Sequence, residues 1–178
     1  TLTALLEGYA GWLQQQGKAS AKQVRGAIKR HILEPWPDLA AAKANSLVKR
    51  DLTLIIAGVV DAGKGREAAK LRAYIRAAYA AAMRADSDPT IPSTLHGFNL
   101  SVNPASELAS LSQYNQPRDT VLTLPELQAL WIRLKDLKGS TGSALRLCVL
   151  LGGQRPTQLV RIKGADVDLH GGTVTLYD

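Results

Sequence analysis

One cysteine, Cys148, in 178 residues leaves nothing for an internal disulfide framework, and a reducing cytoplasm is the expected location. No apolar run reaches the roughly 18 residues that a membrane helix needs. Nor does any basic helix carry a bulky apolar face of the kind that lies on a bilayer, so no membrane partner is expected. Residues 1–17 lack the basic start and unbroken apolar stretch of a secretion signal. The histidines, His31, His96 and His170, stand near no cysteine in ligand spacing, and we expect no metal site. A Gly-rich phosphate loop, a Gly-x-Ser-x-Gly elbow and a dinucleotide fingerprint are all missing. Gly63-Lys64-Gly65 is too short to cradle phosphates and reads as a turn between helices.

Acids are outnumbered. Lys and Arg total 22 against 15 Asp and Glu, a formal charge of +7, and charge of that sign draws polyanions or anionic membranes. With the membrane features missing, nucleic acid is the expected partner. Residues 1–89 hold 14 bases against 8 acids, whereas residues 90–178 hold 8 against 7. The excess therefore belongs to the first half.

The length suits one large or two small domains, and the fold class expected is mainly α. Leu2, Leu5, Leu6, Tyr9, Trp12 and Leu13 recur at spacings of three and four, which puts them on one helical face ended by Gly17. Ser20 is the expected N-cap of a second helix to about Leu33, with Val24, Ile28 and Ile32 inward and Pro35 and Pro37 as its stop. A third helix is expected over about 47–62 and a fourth over 67–84, the latter burying Leu71, Ile75, Ala78, Tyr79 and Ala82. These four make a small bundle over residues 1–86.

Periodicity vanishes over residues 87–118, where Pro89, Pro92, Pro104 and Pro117 lie among Ser, Asn and Gly, as expected of a connection between domains. Over residues 119–178 order returns. Thr123, Pro125 and Glu126 form a capping-box start for a helix carrying Leu127, Leu130, Trp131, Leu134 and Leu137. Residues 144–151 are nearly all apolar and predict a helix buried inside a larger domain. A short helix to about Ile162 and a hairpin over 165–169 and 173–177 follow. Thr1 in place of a start methionine, and an end directly after an apparent strand, lead us to expect a piece of a longer protein.

Two groups of residues carry candidate chemistry. Lys22, Arg25 and Lys29, with Arg30 beside them, stand opposite the apolar stripe of the second helix; Lys64, Arg66, Lys70, Arg72 and Arg76 mark the start and outer faces of the fourth. A solvated surface would look the same for one stripe, but two stripes in one domain, uncompensated by acids, fit a DNA backbone. The second group is Gly-Gly-Gln-Arg-Pro at residues 152–156. There Arg155 precedes a proline suited to a first helical turn, and its guanidinium has the fork geometry to hold two phosphoryl oxygens. The alternative is a helix-start arginine paired with Asp166 or Asp168.

The order of these pieces resembles the tyrosine recombinases, the phage-integrase family. The likeness covers nearly the whole chain: a helical bundle, a connection containing Asn103-Pro104, residues 118–131 (RDTVLTLPELQALW) as entry to a catalytic domain, and residues 150–169 (LLGGQRPTQLVRIKGADVDL) as the first arginine motif with its hairpin. The resemblance implies a core-binding (SAM-like) bundle followed by the beginning of an α/β catalytic domain, with Arg155 as the first of two arginines that bind the scissile phosphate. Gln158 stands where the family usually has a supporting acid. The family cuts and rejoins DNA through a 3′-phosphotyrosyl link, using a lysine, a His-x-x-Arg motif and a late tyrosine that would all follow the hairpin. Tyr177 lies too early to be that nucleophile, so this chain is expected to be inactive alone. No cofactor is implied, because the covalent link stores the energy of the broken bond. Duplex DNA is the implied partner, with self-association on DNA in the parent enzyme. A nonenzymatic DNA-binding regulator and a helical protein-interaction module are the alternatives.

Overall fold

A computed structural model of the chain describes residues 1–116 and 120–177 and is mainly helical. The expectations that touched Pro117, Arg118, Asp119 and Asp178 fall outside these residues. The chain divides into two compact units, Thr1–Pro117 and Arg118–Asp178, each described by itself.

In the first unit, α1 (Leu2–Gln15) is capped by Thr1, whose hydroxyl accepts the Ala4 N–H at 3.1 Å. It buries Leu2, Leu5, Leu6 and Ala10. Gly17 reverses the chain at φ 69°, a left-handed conformation that costs glycine little. The second helix differs from expectation at both ends. Its cap position is Ala19, and Ser20 is the first residue of α2 (Ser20–Ile28). Beyond Ile28 the chain continues as a π-helical turn, Lys29–Leu33, in which the Glu34 N–H reaches back to the Lys29 carbonyl at 3.1 Å. Two consecutive residues of that wider turn, His31 and Ile32, are buried. Pro37 opens a helix rather than only ending one: α3 is Pro37–Ala41, consistent with proline's fit to the first turn.

Helices α4 (Lys49–Asp61) and α5 (Gly65–Ala85) complete the bundle, which thus has five α-helices where the sequence suggested four. Packing of α1 against α2, α3 and α5, and of α4 against α5, encloses one apolar cluster. Leu71, Ile75, Ala78 and Tyr79 of α5 lie fully buried in it. The Tyr79 hydroxyl donates to the Ala44 carbonyl at 2.9 Å, so the ring is buried without stranding its polar end.

Residues 87–116, read from sequence as a connection, lie within the first unit. Ile91, Leu95, Ala105 and Leu108 enter the same core cluster. Polar ties fasten the segment along α5: Arg72 Nε donates to the Leu108 carbonyl at 3.1 Å, and Arg66 donates to the carbonyls of Tyr114 at 3.0 Å and Gln116 at 2.8 Å. Asn103 Nδ2 donates to the Arg76 carbonyl at 2.9 Å. The Tyr114 ring lies so close to Gly65 that a Cβ there would collide with it. This segment is a strap that returns along α5 to its first turn. Arg72→Ala leaves the Leu108 carbonyl without its charged donor, and bonds of that kind contribute about 1.5–3 kcal/mol. Urea unfolding of the variant is expected to show a loss of that order.

The second unit contains α6 (Leu124–Asp136), α7 (Gly139–Leu150), α8 (Pro156–Leu159) and a two-stranded antiparallel ribbon. Its strands are β1 (Val167–Asp168) and β2 (Thr173–Val174), paired Val167 to Val174 and Asp168 to Thr173. They are shorter than expected, and Tyr177 follows β2 rather than lying on it. The Glu126 carboxylate accepts both the N–H and the hydroxyl of Thr123 at 2.8 Å, which holds its pKa below the ordinary carboxyl value. Arg146 of α7 donates to the Leu134 and Leu137 carbonyls at the end of α6 at 2.7 and 3.0 Å. The expected burial of the apolar helix is not found: Leu145 is 42% and Leu150 68% exposed, and Gly142 is the buried residue of α7. An all-apolar stretch shows what a helix would bury, while exposure depends on which neighbours are there to cover it.

Candidate nucleic-acid interface

The two basic stripes meet where α2 and its π-helical turn face α5. An open pocket of about 400 Å³ lies there, and its lining includes Lys22, Arg30, His31, Glu67, Lys70 and Tyr74. Lys22, Arg30 and Lys70 are all exposed. Arg30 is steadied by its own helix, its Nε donating to the Gly26 carbonyl at 3.1 Å. Lys64 precedes α5 and is close enough for its charge to act on Glu67.

The remaining sequence candidates separate from this group. Arg25 turns toward α1, with Nε 3.3 Å from Glu7 and Nη1 donating to Gln14 at 2.6 Å. Arg66 and Arg72 hold the strap, as described. Lys29 and Arg76 are exposed but do not line the pocket. Thus Lys22, Arg30 and Lys70 are brought together, Lys64 stands beside them, and Arg25, Arg66 and Arg72 have protein partners.

The pocket lining also includes a pair that the sequence reading passed over. His31 is 7% exposed, and its Nε2 lies 2.8 Å from Glu67 Oε2. The Glu67 side chain remains 45% exposed. The hydrogen bond from His31 is the main cause that holds the Glu67 carboxyl below its ordinary value; partial burial acts against it, and the charges of His31, Arg30 and Lys64 add to it. The depressed pKa means that Glu67 stabilises the fold above its ordinary value of 4.5 and loses that contribution as pH falls through the lower folded value. Its exposure keeps the effect small. Glu67 stands three residues from both Lys64 and Lys70, the spacing that shares a helix face, but nothing in that spacing points to His31, 36 positions earlier.

In the second unit, Arg155 is the exposed N-cap residue of α8, reached through Gly152 at φ 69° and Gly153 at φ 79°. Two consecutive left-handed residues favour glycine at both positions. Asp166 accepts the Lys163 N–H at 2.8 Å, and Asp168 accepts the N–H groups of His170 and Gly171 at 2.9 Å, so both carboxylates build local turns. Among the described residues, no group of three or more His, Cys, Asp or Glu is placed to hold a metal ion, and no helix is long and apolar enough to cross a membrane. The chain matches no protein-family model, no curated protein and no solved structure.

Proposed function

We propose that this chain is the DNA-engaging front of a site-specific tyrosine recombinase, its first unit acting as a helical, SAM-like core-binding domain and its second as the beginning of the α/β catalytic domain. The observation that carries this reading is the convergence of Lys22, Arg30 and Lys70, from two separate elements, on one open pocket. Three exposed cations lining one pocket suit a polyanion, and contacts of this kind set position and register rather than sequence. Duplex DNA is the partner. Arg155 binds the scissile phosphate in the parent enzyme, where its planar fork meets two phosphoryl oxygens and offsets the charge that develops as the tyrosine attacks.

The sequence contains no His-x-x-Arg motif. The expected behaviour is therefore binding without cutting. The chain should retain duplex DNA with an affinity that falls steeply as salt rises, while a nicked suicide substrate incubated with it should yield no covalent protein–DNA adduct. Binding that ignores salt overturns the DNA reading, and an adduct from this chain overturns its assignment as the non-nucleophilic front.

A further inference from the structure

We propose that Glu67 reads a cytosine in the DNA major groove, so that the pocket is a base-recognition point set inside a phosphate-binding face. This inference rests on the DNA-binding reading above and deepens it.

A carboxylate is out of place on a surface that meets phosphates alone. Glu67 nevertheless lines the pocket with Lys22, Arg30 and Lys70, and Lys64 lies one helical turn before it. The side chain is held, not loose. Oε2 takes the hydrogen bond from His31, a residue fixed in the interior, and the other oxygen makes no hydrogen bond among the described residues. The same bond and the neighbouring cations keep the group ionised. An ionised carboxylate only accepts hydrogen bonds, and duplex DNA offers donors to it at base edges rather than along the backbone.

In the major groove those donors are the exocyclic amino groups of cytosine and adenine. Adenine presents its N7 acceptor beside the amino group, which repels a second acceptor. Cytosine carries no such acceptor on the same edge, so the carboxylate favours it. Glu67 stands in the first turn of α5. The surrounding cations would then hold the flanking phosphates and fix the register at which the carboxylate meets its base.

The test is selection from a randomised duplex pool with the full chain and with Glu67→Gln. Glutamine has nearly the same shape and still bonds to His31, and circular dichroism verifies that the variant keeps its helices. Its amide offers a donor and an acceptor together, the pattern that matches adenine. The wild-type chain should enrich cytosine at one position by about fivefold or more, and Glu67→Gln should move that enrichment to adenine, in line with the discrimination a good base contact supplies. Lys70→Ala should lower capture of every sequence while the cytosine preference persists. If Glu67 only seats His31, Glu67→Gln binds all sequences more tightly with no change of preference, and the inference falls while DNA binding stands. A chain that captures no duplex at low salt removes the DNA-binding reading, and this inference with it.

Discussion

Replacing Lys22, Arg30 and Lys70 together with alanine is expected to remove most of the salt dependence of DNA binding. Each phosphate neutralised contributes a slope of about −0.9 in log K against log salt. Three contacts therefore lose about 40-fold in affinity between 50 and 200 mM salt, and the triple variant should lose little over the same range. Fluorescence anisotropy on a mixed-sequence duplex measures both slopes. Arg25 and Arg72 provide the internal contrast, because their guanidinium groups are engaged within the protein. Alanine at either should leave the slope nearly unchanged. Equal losses for all five positions would mean that overall charge, not the pocket, attracts the DNA.

The largest effect on stability is expected at the centre of α5. Ile75 is fully buried within the apolar cluster, and Ile75→Ala removes apolar contacts while leaving a cavity that the packed helices close only in part. Such truncations cost about 2–5 kcal/mol, against a typical domain stability of about 5–15 kcal/mol. With an m-value of about 2 kcal/mol per molar urea, the midpoint falls by about 1–2.5 M. Lys70→Ala, on the exposed side of the same helix, is expected to change it by less than about 0.5 kcal/mol. An unmoved midpoint for Ile75→Ala would contradict the burial of that face.

Helices whose apolar residues follow a clean period were legible in the sequence. Leu2 to Leu13 of α1 and Leu71 to Ala82 of α5 point inward as their spacing requires. The π-helical turn was not, because Val24, Ile28 and Ile32 recur every four residues and suit an ordinary helix equally well. His31, one position before the last residue of that stripe, is buried within the turn. The strap was missed for another reason. It is anchored by isolated apolar residues and by arginines donating to backbone carbonyls, neither of which produces a period. Charge counting marked the fourth helix as basic, but it could not show that Arg66 and Arg72 bond to the protein's own backbone while Lys70 stands open. The role of Glu67 required three dimensions, since its partner lies 36 positions earlier in the chain.

The strap also fixes where the first unit can be divided. A polypeptide ended after the last long helix, at residue 86, would leave bare the apolar ground now covered by Ile91, Leu95, Ala105 and Leu108. It would also leave two arginines without their carbonyl acceptors. The smallest self-sufficient piece therefore reaches residue 116. Insertions beside Ile91, Leu95, Ala105 or Leu108 shift residues anchored in the core, so even a stretch this rich in proline and serine has points that tolerate no change in length.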